Sequence, residues 1–239
     1  MPEREITPET APEIGTESER PSLDWVDIVA TVVMAVAALA TAWSALQSDQ
    51  WSDTMSFSLN AAGAARTESS RYFTRAGQLT DVDVATFIAW VEAVQREVIA
   101  EGGDTSGGYE PDPTTVSGFL FTRFRPEFRV AMDAWLATRP LTNPDAPATP
   151  FAMEEYQVAE AIEAERLQQE AEDKVAEAQA ADRNDDRYVL STLIFAAIFL
   201  FAGLSTKMRS RSGQIGMLVV AILFLVGGVI YLLAVPIQV

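Results

Sequence analysis

Five aspartates form one charge pattern in this chain that suggests chemistry. Asp49 and Asp53 stand four residues apart and so share one face of a helix, while Asp182, Asp185 and Asp186 precede an apolar run. Collected on one side of a membrane, they would concentrate inorganic cations at a pore mouth. Read more plainly, they are solvated side chains at an interface. A second group is small and hydroxyl-bearing: Ala30, Ala37, Thr41, Ser44 and Ser48 fall on one side of a helix, with Val32, Val36, Leu39, Trp43 and Leu46 on the other. Small residues let helices approach closely, and hydroxyls bond across lipid. That face either packs against other helices of the chain or forms a subunit interface or pore lining in an oligomer.

Much other chemistry is excluded by composition. The chain has no Cys and no His, which removes disulfides, thiolate and imidazole metal sites, and the usual general base. Metal binding would have to rest on carboxylates and suit Mg²⁺ or Ca²⁺. Asp81-Val-Asp83 is too generic to name such a site. The pairs Gly102-Gly103 and Gly107-Gly108 lack the following basic residue of a phosphate cradle. No nucleophile has a plausible base near it in sequence. The expectation is a protein that is not an enzyme and needs no cofactor. The formal net charge is −17, most of it in residues 47–187, which argues against a nucleic-acid partner.

The stretch FLFTRFRPEFRVAMDAWL interleaves Phe119, Phe121, Phe124, Phe128 and Trp135 with Arg123, Arg125 and Arg129. Arginine stems covering rings, with their heads paired to acids, would make this a domain core. The other reading is a grip on an anionic ligand or lipid headgroup.

Three apolar runs must position these residues. Residues 23–46, 188–206 and 214–236 each supply the roughly 20 apolar residues of a membrane-crossing helix, and lipid forces such runs to be helical. A cleaved signal peptide is the rival reading of the first run. The acidic segment before it, with Glu3, Glu5, Glu9, Glu13, Glu17 and Glu19, favours an uncleaved anchor. Lys207, Arg209 and Arg211 lie in the short connection 207–213, and basic short loops stay cytoplasmic. The expected threading has a cytoplasmic N-terminus, with residues 47–187 and the C-terminus extracytoplasmic. Residues 1–22, rich in Pro, Glu and Thr, read as a disordered tail.

Residues 47–187 read as helical. One helix covers 47–75. A second covers 80–100, with Thr80 and Asp83 resembling a capping box and Val84, Phe87, Ile88, Val91, Val94 and Val98 forming its apolar face. Gly102-Gly103 should stop it. Two short helices, 114–124 and 126–138, precede a proline-marked connection. A long helix over 151–186 has a thin stripe of Val158, Ile162, Leu167, Ala171, Val175 and Ala178 that needs a partner helix. Residues 47–75 are the natural one. The expected result is a helical hairpin continuous with the first and second spans. Acids favour helix starts, but for Asp182, Asp185 and Asp186 that explanation would fit a break before Tyr188 better than a continuous helix.

The layout resembles uncharacterised bacterial three-span membrane proteins of the domain-of-unknown-function kind. The matching stretches are AWSALQSDQW and DDRYVLSTLIFAAIFLFAGLSTKMRS. The resemblance implies one N-terminal span, a helical extramembrane domain, and a closing pair of spans in a bacterial plasma membrane. It implies no activity. The expected fold is therefore all-α: an integral membrane protein with three transmembrane helices and an extramembrane domain built on a long helical hairpin. Its expected role is an oligomeric structural or accessory subunit in the lipid bilayer, self-associating as a homo-oligomer. The alternative is a cation-selective channel.

Overall fold

The structure is a computed structural model that describes residues 24–100, 102 and 108–238. Residues 1–22, expected to form a tail, lie outside the described residues, as do Gly103 and Gly107. Among the described residues every regular element is helical: α1 Trp25–Ala100, α2 Val116–Phe121, α3 Pro126–Ala137, a 3-10 turn Pro150–Ala152, α4 Ala159–Ser205 and α5 Arg211–Leu233. Windows of α1, α4 and α5 are long and apolar enough to cross a membrane.

The chain divides into two compact units. One combines residues up to Ser48 with those from Asp186 onward; the other is Asp49–Asp185. In the first, α1, α4 and α5 pack through Val26, Ala30, Val33, Ala37, Phe195, Ile198, Ala202, Leu218 and Ala221. Many of its other large side chains point outward: Leu39 is 73% exposed, Leu223 67% and Leu233 81%. Gly228 is what lets α5 approach α4. A Cβ there would lie 3.1 Å from Ile194 and 3.2 Å from Phe195.

In the second unit α1 and α4 run side by side in opposite directions. Ser58 bonds Glu177, the Ser69 hydroxyl donates to the Ala164 carbonyl at 2.7 Å, and Arg75 pairs with Glu160 at 3.5 Å. Partners therefore retreat along α4 as they advance along α1. Ala62, Ala65 and Ala76 of α1 and Ala164, Leu167, Ala171 and Ala178 of α4 are the buried apolar residues along this pair, so its seam is narrow and mostly alanine. The stripe expected on α4 loses one member, because Ile162 is 56% exposed.

A cap of aromatic residues completes this unit. Phe87, Trp90 and Val94 pack with Phe121, Phe124, Phe128, Met132 and Trp135. Phe128 stacks on Phe151 at 5.2 Å between ring centres and meets Tyr156 edge-on at 5.8 Å. Such edge and offset contacts suit the charge distribution of the rings.

Three boundaries differ from the sequence reading, each for a physical reason. Residues 47–75 and 80–100 are not separate helices, because α1 runs unbroken through both. Asp83, expected to cap a new helix, turns its carboxylate to Arg125. A lone Gly77 costs about 1 kcal/mol of helix propensity, which is not enough to stop it. Residues 151–158 are not α-helical, because Phe151 and Tyr156 are drawn into the aromatic core; α4 begins at Ala159. As expected, the hairpin helices run on into the apolar runs: α1 extends from Trp25 to Ala100, and α4 passes through Tyr188 to Ser205. Finally, α5 starts at Arg211, where the Ser210 hydroxyl accepts the Gly213 N–H at 3.1 Å, so Arg211 belongs to the helix and not to the loop. After α1, Gly102 takes φ 94°, a conformation that glycine adopts without strain.

Candidate functional site

The small-residue face of α1 lies inside the chain's own bundle. Ala30, Ala37 and Ser44 are each 0% exposed. The Thr41 hydroxyl returns to the Ala37 carbonyl at 2.8 Å, and Ser48 is half-buried. The Ser44 hydroxyl is buried and has no hydrogen-bond partner among the described residues, which leaves a polar group desolvated without compensation.

One helical turn further on, Gln47 is 2% exposed and gathers the chain's last described segment. Its Nε2 donates to the Gln238 carbonyl at 3.1 Å, and its Oε1 accepts the Gln238 N–H at 2.8 Å. The Tyr188 hydroxyl donates to the Pro236 carbonyl at 3.1 Å. A side-chain amide thus stands in for a strand partner, satisfying backbone groups that helix α5 has released. Sequence reasoning missed this clasp. Its only signal was a polar Gln47 immediately after an apolar run.

The other end of the same unit carries the basic turn. Arg211 grips Asp24 with two hydrogen bonds, Nη1 to Oδ2 at 2.6 Å and Nη2 to Oδ1 at 3.1 Å. A cation in the first turn of a helix opposes the helix dipole, and the carboxylate offsets it. Lys207 and Arg209 are exposed and form no ion pair among the described residues.

The five aspartates are not gathered into a metal site. Asp49, Asp53, Asp182 and Asp186 are exposed, and Asp185 is half-buried. Among the described residues no group of three or more acidic side chains is placed to hold a metal ion.

The arginine and aromatic stretch divides its labour. Arg125 binds Asp83, which is 1% exposed, and the Tyr156 hydroxyl donates to Asp83 Oδ2 at 3.1 Å and lies 3.3 Å from Thr80 Oγ1. The hydrogen bond to Asp83 raises the Arg125 pKa, and burial raises that of Tyr156. Arg123 lies over the Phe119 ring at 4.9 Å and Arg129 over Phe121 at 5.0 Å. The stretch is thus the core of its unit, with Phe119 left 51% exposed. Nearby, the Ser117 N–H and hydroxyl both donate to the Glu97 carboxylate. Asp112 accepts from the N–H and hydroxyl of Thr114, which lowers its pKa.

These features define an all-helical protein with three helices suited in length and apolarity to crossing a membrane. No family model, no curated protein and no solved structure matches the chain.

Proposed function

We propose that this chain is a non-enzymatic integral membrane protein, threaded three times through a bacterial plasma membrane and assembling with copies of itself as a structural or accessory subunit. The observation that carries the reading is the apolar outer surface of the first unit. Alanines share its seam with Phe195, Ile198 and Leu218, while Leu39, Leu193, Leu223 and Leu233 face outward. Water penalises that arrangement and hydrocarbon accepts it. The basic turn at Lys207, Arg209 and Arg211 belongs in the cytoplasm and the acidic Asp49–Asp185 unit outside.

Self-association is supported by apolar surface in the acidic unit, where Phe57 is 74% exposed, Phe73 72% and Ile99 75%. A two-helix seam of alanines buries little area. The test is the mass of the full chain in mild detergent. The expected mass is a multiple of 26.0 kDa, and a monomer would remove the assembly reading. The exposure of both Asp49 and Asp53 supports one competing reading, a cation-selective channel built by several copies. Unit conductance in planar bilayers would select it over the structural role.

A further inference from the structure

We infer that the turn between α4 and α5 is a binding site for the phosphate of an anionic lipid headgroup, held by Lys207 and Arg209. This deepens the membrane-spanning reading above and rests on it. The three cations of the turn do different work. Arg211 is taken up by Asp24, through the paired bonds of 2.6 and 3.1 Å. Lys207 and Arg209 are exposed, with no carboxylate in ion-pair reach among the described residues. Their backbone is fixed nonetheless. The Lys207 N–H donates to the Leu204 carbonyl at 3.0 Å, and the Gln214 side chain donates to the Met208 carbonyl at 3.0 Å. Two cations are thus presented on an ordered turn whose internal hydrogen bonds do not use their charge.

The Asp24–Arg211 pair also brings the start of α1 to this end of the bundle, and with it Trp25, which is 54% exposed. An exposed indole beside basic residues at the end of apolar helices marks headgroup depth. A phosphodiester lies at that depth. Free phosphate would meet two solvated charges in water, where such contacts are weak and screened. A lipid phosphate is already concentrated there by its own bilayer. Zwitterionic lipid brings a competing ammonium and gains less. Each lysine or arginine near an anionic surface favours it by about fivefold, so roughly 25-fold for the pair.

The test is native mass spectrometry of the full chain released from detergent. It is titrated separately with dioctanoyl phosphatidylglycerol, dioctanoyl phosphatidylcholine and inorganic phosphate. The expected result is preferential retention of phosphatidylglycerol, of order 25-fold. The preference should vanish in the double variant Lys207→Gln, Arg209→Gln and persist in the charge-keeping Lys207→Arg, Arg209→Lys. Equal retention of both lipids, a preference surviving in the neutral variant, or displacement of phosphatidylglycerol by millimolar phosphate would each overturn the inference. A chain that stays soluble without detergent would defeat the membrane-spanning reading itself, which is a separate outcome.

Discussion

Asp83 on α1 and Arg125 at the start of α3 face each other through two parallel hydrogen bonds, Nε to Oδ1 and Nη2 to Oδ2, each 3.0 Å. The carboxylate is 1% exposed and the guanidinium side chain 20%. The pair fastens the α2–α3 segment to the long helix that the aromatic core also uses. Removing one member of a buried pair strands the other charge and costs about 3–5 kcal/mol. Asp83→Asn should therefore lower the thermal midpoint of the aromatic near-UV signal far more than Glu92→Gln, whose partner Arg96 is exposed. Equal shifts would show that the pair is not what holds the cap.

Tyr156 makes the same cluster sensitive to alkali. Burial raises its pKa above 10.0, so the folded state keeps the proton longer than the unfolded state does. Its contribution is fully present below pH 10 and is lost as pH rises through the higher folded value. Stability measured across that window should fall, and Tyr156→Phe should flatten the fall. An unchanged profile in the variant would exclude Tyr156 as its source.

Neighbouring glycines on α5 should respond differently to the same change. Gly228 has Ile194 and Phe195 within 3.1–3.4 Å of an added Cβ, whereas Gly227 has nothing within 4 Å. Gly228→Leu should destabilise the detergent-solubilised bundle by about 1–3 kcal/mol through overpacking. Gly227→Leu should be close to neutral. Matching thermal shifts in the two variants would contradict the packing of α4 on α5.

Ser44 gives a prediction of opposite sign. Its hydroxyl is buried without a partner among the described residues, so Ser44→Ala removes an uncompensated polar group and should stabilise the bundle by up to about 1 kcal/mol. Ser44→Leu should destabilise it. A loss of stability in Ser44→Ala would mean that the hydroxyl has a partner worth keeping.

The clasp on the C-terminal segment can be read by hydrogen exchange. The Gln238 N–H reaches Gln47 Oε1 at 2.8 Å, and a net hydrogen bond contributes about 1 kcal/mol. Gln47→Leu should accelerate exchange at Gln238 by roughly fivefold or more. Exchange as slow as in the native chain would sink the clasp.

What could be read from sequence was what repeats along a helix. The three apolar runs, the buried Ala30, Ala37 and Ser44 face, and the aromatic core around Phe121 and Phe128 follow from spacing and polarity, which are local. What escaped depends on partners far away in sequence. Asp83 looks like a helix cap until Arg125 is placed beside it. Gln47 looks like the polar end of a span until Gln238 returns to it. Tyr156 sits in a helix-forming stretch, but the aromatic core takes it before helix propensity can act. Ile162 fits the α4 stripe by period and falls outside the narrow seam that a single partner helix can cover.

The central claim is the threading of the apolar helices, and the absence of cysteine makes it directly measurable. Single substitutions Ala148→Cys and Met208→Cys, both at exposed positions, are probed with a membrane-impermeant maleimide. In intact cells stripped of any outer membrane, Ala148→Cys should label at once and Met208→Cys only after permeabilisation. Labelling of Met208→Cys alone before permeabilisation would reverse the threading, and equal labelling of both in a soluble fraction would contradict the account entirely.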